Sequence, residues 1–184
     1  GSYRAFREIA STQKWLFTHR GGKWAQFYSE EALARQKQFF DYFLKGINND
    51  LNSQKKVRLE VRDTRTKIHS ITVEDSFPPA EICWTKLYLN LKERDLRTEE
   101  PGSLEQLGFP MGQGQLCLNY TIPEDLQIIG PAKIKLHVKA INNNDINIFV
   151  GLRKWRQNEE IYFEGSYGYP FDIVTKGSRN VCPA

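Results

Sequence analysis

The side chains able to do acid–base chemistry near neutral pH are few, because the chain holds only three histidines, His19, His69 and His137. His19 closes the run KWLFTH and so sits at the carboxyl end of a bulky, apolar stretch. In open α/β sheets that edge of a strand is where ligands and reacting groups collect. A histidine there could serve as a general base, given a nucleophile and an orienting acid within hydrogen-bond reach. His137 lies in KIKLHVKA on the face it shares with Lys133, Lys135 and Lys139, which reads as surface; His69 flanks a strand beside Lys67 and Ile68.

The nucleophile that would complete such a site is missing. The strand-to-helix elbow G-x-S-x-G does not occur. GSYGY, from Gly165 to Tyr169, has the spacing G-S-x-G in an aromatic, β-rich context and is expected to be a loop between strands. On the α/β-hydrolase fold, where that elbow is found, the triad runs serine, acid, histidine along the chain. If His19 is the last member, the serine and the acid are expected upstream of Gly1. No Walker motif, dinucleotide fingerprint or metal-spaced cluster is present, so neither cofactor nor metal is expected. NNNDIN lacks the spacing of a calcium loop and reads as a turn.

Composition bounds the remaining classes. At 184 residues with 40% apolar and 12% aromatic side chains, the chain can build a core. Its net charge of +4 is mild, and EEALARQK and KERDLRTEE balance bases with acids locally, which argues against nucleic acid as a partner. Cys83, Cys117 and Cys182 are widely spaced with no C-x-x-C pair, which suggests reduced thiols and a cytoplasmic setting. No apolar run is long enough for a membrane span, and nothing in the sequence sets an oligomeric state.

The elements that must carry His19 occupy the first fifty residues. SYRAFREIA is a short amphipathic helix ended by Ser11 and Thr12. KWLFT reads as a strand covered on both faces, as in a parallel sheet. A helix follows, with Ser29 as its cap, Glu30 and Glu31 in its first turn and Gly46 as its stop. Leu33, Phe40, Phe43 and Leu44 form its apolar stripe, widened by Phe39. Strand, glycine loop and helix make half of an α/β unit, and the strand is expected to lack partners. On that expectation residues 1–46 could be removed without harm to the rest.

GINNDLNSQKK is a polar linker, after which the period changes to two. KVRLEVR puts Val57, Leu59 and Val61 on one face and Lys56, Arg58, Glu60 and Arg62 on the other. KIHSITV, TKLYLNL, QLCLNY, AKIKLHVKA, INIFVGLRKW and EEIYFEG read as further strands. The expected fold is mainly β: an antiparallel jelly-roll β-sandwich at residues 51–184, preceded at 1–50 by a short α/β segment.

The stretch KWLFTHRGGKWAQFYSEEALARQKQFFDYFLKG resembles the end of the catalytic domain in the X-Pro dipeptidyl-peptidase and cocaine-esterase-like hydrolases. Those enzymes have a strand ending in histidine, a tryptophan soon after, and a helix closing on FFD-x-x-LKG, here FFDYFLKG. VRLEVR, SFPPAE, LYLN, IIGPAKIKLHVKA, DINIFVGLRK and FEGSYGYPFDIVTKG continue the likeness in order. The resemblance implies that residues to about Gly46 finish an α/β-hydrolase domain and that the rest is a galactose-binding-like jelly roll shaping the substrate entrance. It implies that His19 is the triad base and that the substrates are Xaa-Pro peptides or small acyl esters. The chain alone, lacking the serine, is then expected to be inactive. Phe77-Pro78 stands where the family usually has Trp-Pro, Asn147 stands near Asp145 where an acid is often found, and GSRNVCPA stops early. Two other readings stay open. One is a free-standing module binding a carbohydrate or a protein through Trp84, Trp155, Tyr162, Tyr167 and Tyr169. The other is an interaction protein docking through KWLF with Phe39, Phe40 and Phe43.

Overall fold

The longest helix forms where the sequence supplies caps. A computed structural model describes residues 2–19, 21–110, 112, 114–141, 145–165 and 169–181. In it α1 spans Ser2–Glu8, a short α2 spans Lys23–Phe27, and α3 spans Glu30–Lys45. The Ser29 hydroxyl accepts a hydrogen bond from the Ala32 N–H at 3.3 Å, and Gly46 ends α3 in the left-handed region at φ 66°. That conformation costs glycine nothing because it has no Cβ. The α2 turn was not expected from sequence.

The strands are β1 (Leu16–Phe17), β2 (Val57–Arg62), β3 (Ile68–Glu74), β4 (Tyr88–Asn90), β5 (Asp95–Arg97) and β6 (Ile146–Leu152). They continue with β7 (Lys154–Arg156), β8 (Glu159–Ile161), β9 (Phe163–Glu164), β10 (Phe171–Asp172) and β11 (Thr175–Val181). The fold is mainly β with a short helical N-terminal part, as expected. The strands form one three-stranded sheet in the order β1-β2-β3 and a set of two-stranded sheets.

One expectation is overturned. β1 has a partner within the chain, because β2 runs parallel beside it with Leu16 opposite Val57 and Phe17 opposite Arg58. The Leu16 N–H donates to the Lys56 carbonyl at 2.8 Å, and the Thr18 N–H to the Arg58 carbonyl at 3.1 Å. Parallel strands need a long crossover, usually helical, and α2 with α3 supplies it. The first residues are therefore not an unpaired remnant. They close a β-α-β unit with the first strand beyond the linker, so the apolar surface of KWLF has a local cover.

Two compact units divide the chain: Gly1–Pro79 with Pro131–Ala184, and Ala80–Gly130. In the first unit the core gathers at the β1–β2 junction, where Leu16, Leu51, Val57 and Leu59 are buried. Val57 is 0% and Leu59 3% exposed, and each such side chain contributes roughly 1.5–3 kcal/mol by leaving water. β3 pairs antiparallel with β2, and β6 with β11 from Ile146↔Val181 to Leu152↔Thr175. The β2–β3 turn is pinned to β7 because Asp63 accepts from Lys154 at 2.9 Å and from Arg156 at 2.7 Å. These two cations, Lys154 first, hold the Asp63 carboxyl well below the usual carboxylate range. Tyr3 of α1 packs its ring 4.6 Å from that of Phe77.

In the second unit β4 and β5 form a hairpin, joined by a bridge from Asp95 to Asn119. Strands expected at QLCLNY and AKIKLHVKA are not formed: of their residues only Asn119 has a bridge, and 131–140 carry no ladder. A strand needs a neighbour for its backbone groups, whatever its side-chain period.

Candidate active site

Thr18 and the residue after it are where the β1–β2 junction meets possible chemistry. Each polar group of Thr18 is bonded to β2. Its N–H donates to the Arg58 carbonyl, its hydroxyl accepts from the Glu60 N–H at 3.1 Å, and its carbonyl accepts from Arg58 Nη1 at 3.0 Å. The chain therefore leaves β1 in a fixed direction, and His19 is the next residue. Its Nδ1 is buried with no hydrogen-bond partner among the described residues, while its ring lies 6.4 Å from that of Phe17. A buried imidazole nitrogen without a partner is costly, which sets His19 apart from the exposed His69 and His137.

Arg58 is the residue that the sequence pattern hid. Alternation placed it on the polar face of β2, yet it is only 7% exposed, because Phe17 and α3 cover that face. Its guanidinium forks onto Glu31, with Nε 3.0 Å from Oε1 and Nη2 donating to Oε2 at 3.2 Å. It lies 4.5 Å from the Phe17 ring centroid, with Arg35 also over that ring at 5.1 Å. Glu31 was legible as a first-turn acid favouring the positive helix end. Its bond to a strand residue was not, since nothing in one sequence names its partner.

The remaining candidates fall elsewhere. His69 is exposed on β3, and His137 is exposed within the unpaired 131–140 segment. GSYGY begins directly after β9, and a Cβ on Gly165 would fall 2.1 Å from the Tyr169 carbonyl oxygen, so only glycine fits. Ser166, Tyr167 and Gly168 lie outside the described residues, as do Cys182 and Asn142 to Asn144. Trp84, Trp155, Tyr162 and Tyr169 are exposed; Tyr162 packs 4.7 Å from the Phe171 ring and donates its hydroxyl proton to Glu160. Phe39 and Phe43 stand edge-on to Trp15 at 6.1 and 6.3 Å. Among the described residues no group of three or more His, Cys, Asp or Glu is gathered as a metal site requires. His19 lines neither the cleft between Phe6 and Phe77 nor the one between Trp15 and Phe39.

Residues 49–183 match the profile of the X-Pro dipeptidyl-peptidase C-terminal non-catalytic domain. The chain belongs to that family. No curated protein matches it. Two crystal structures of a CocE/NonD family hydrolase from Staphylococcus aureus are similar to it, at 27% and 25% identity with TM-scores of 0.81 and 0.78. Each alignment covers 98% of this chain and 33% of the hydrolase, so the chain spans about a third of those proteins' length. His19 lies outside the stretch that matches the X-Pro dipeptidyl-peptidase C-terminal profile, whereas Arg58 lies inside it. No helix among the described residues is long and apolar enough to cross a membrane.

Proposed function

We propose that this chain is the C-terminal portion of a serine hydrolase acting on Xaa-Pro peptides or small acyl esters. On this reading residues 1–50 finish its α/β-hydrolase domain and residues 51–184 form a jelly-roll domain that shapes the substrate entrance. His19 is the general base, and the serine and acid are supplied by polypeptide outside these 184 residues. The observation that carries the reading is the place of His19, directly after the carboxyl end of a strand that pairs in parallel with β2, with Nδ1 bonded to no described residue. In a triad the acid accepts from Nδ1–H and fixes the tautomer, leaving Nε2 to take the serine proton and return it to the leaving group. The family match and the coverage of one third of the similar hydrolases support the same assignment. The exposed free thiols of Cys83 and Cys117 suit a cytoplasmic setting.

The test compares the chain with a full-length hydrolase that contains it. The purified chain should not cleave p-nitrophenyl acetate or an Xaa-Pro p-nitroanilide at a rate abolished by a serine-directed inhibitor, and the full-length protein should. In the latter, His19→Ala is expected to lower kcat by roughly 10⁴–10⁶-fold. Inhibitor-sensitive turnover by the chain alone, or near-normal kcat in His19→Ala, would overturn the reading.

A further inference from the structure

We infer that Arg58, on the first strand of the domain described as non-catalytic, is a positioning residue that holds His19 in place for catalysis. The inference rests on the reading of His19 as the base. Its physical ground is the way Arg58 uses its donors. A buried guanidinium is expensive to desolvate, and an ion pair of this kind is often no more stabilising than apolar side chains of the same volume. What it supplies is direction. One edge forks onto Glu31 at the start of α3, and Nη1 reaches the Thr18 carbonyl at 3.0 Å. The flat face rests on Phe17. Arg58 thereby joins three elements: β1, which ends just before His19, α3, which follows it in the chain, and its own strand β2.

The Thr18 carbonyl belongs to the peptide unit whose nitrogen is that of His19. Fixing this oxygen fixes the plane from which the imidazole projects. The Thr18 hydroxyl, which accepts from the Glu60 N–H, adds a second tie from the residue before His19 to β2. A displacement of a reacting group by about 1 Å can cost about 100-fold in rate. A lysine at 58 keeps the charge but cannot fork onto a carboxylate while also reaching a carbonyl.

Two measurements test this. In a full-length hydrolase containing the chain, Arg58→Lys and Arg58→Met are expected to lower kcat by about 10- to 100-fold while KM stays within about two-fold, because substrate contacts are untouched. In the 184-residue chain, the His19 Cε1–H resonance should shift or broaden in both variants while that of exposed His137 does not move. With three histidines, assignment needs only the His→Ala variants. Should Arg58→Met fail to fold, Arg58→Lys and Glu31→Gln decide; the latter weakens the fork alone and should move both readouts in the same direction by less. Folded variants with an unmoved His19 resonance and normal kcat overturn the inference. If His19→Ala itself stays active, the base assignment falls instead and takes the catalytic role of Arg58 with it. If His19→Ala is inactive and both Arg58 variants turn over normally, only the inference about Arg58 falls.

Discussion

Two stretches of this molecule carry nearly the same pattern and meet opposite fates. VRLEVR, which is β2, and KIKLHVK within residues 131–140 both alternate apolar with mostly basic side chains. β2 is covered on both faces at its start, so that even Arg58 is buried between Val57 and Leu59. In the other stretch Ile134, Leu136 and Val138 are exposed along with the lysines. The difference lies in neighbours. β2 has β1 on one side, β3 on the other, and Glu31 of α3 with Phe17 over Arg58, while 131–140 has no ladder at all. Alternation defines two faces of a strand and leaves open what, if anything, covers them.

The strongest way to break this contrast is to remove the neighbour. Deleting residues 1–46 takes away β1 and α3, uncovers Val57 and Leu59, and leaves Arg58 without Glu31 or the Thr18 carbonyl. Returning buried apolar side chains of this size to water forfeits roughly 1.5–3 kcal/mol each. Cooperative unfolding in urea, followed by circular dichroism, should therefore be lost or its midpoint sharply lowered. A truncated chain as stable as the parent would return β1 to the status of an unpaired remnant. The contrast sharpens with one substitution made in both stretches. Leu59→Ala is expected to cost about 2–5 kcal/mol, since it empties a buried site. Leu136→Ala should stay within about 0.5 kcal/mol, as exposed substitutions do. Equal costs in denaturant titrations would mean that 131–140 is packed in solution.

The smallest expected effect is confined to acid. The folded-state pKa of Asp63 is depressed by Lys154 and Arg156, so the carboxylate's contribution is present above its unfolded value, near 4. It is lost as pH falls toward the folded value. The midpoint of thermal unfolding should drop below about pH 4 in the parent. Asp63→Asn should flatten that limb. An unchanged acid limb would show that the β2–β3 turn is not held to β7 by charge.

Much of this was legible in single residues. Ser29 and Gly46 marked the ends of α3, and the change of period after GINNDLNSQKK marked the passage from helix to strands. His19 was singled out because its position combined a rare residue type with the end of an apolar run. What stayed hidden were pairings between distant residues. The parallel contact of Leu16 with Val57 depends on a helical crossover bringing back a segment that local pattern assigns to a different layer. Arg58 looked solvated for the same reason, since its cover comes from Phe17 and Glu31 far along the chain. The helix stripe of Leu33, Phe40 and Leu44 shows the reverse case, apolar by pattern and exposed in this chain.

Between α3 and β2 the chain is free of helix and strand over residues 47–50. Scission there by a protease would sever the covalent path without touching the hydrogen bonds of Leu16 and Thr18 to Lys56 and Arg58. The two pieces would remain a non-covalent complex, and the same seam is where complementary halves could be made separately and joined by mixing.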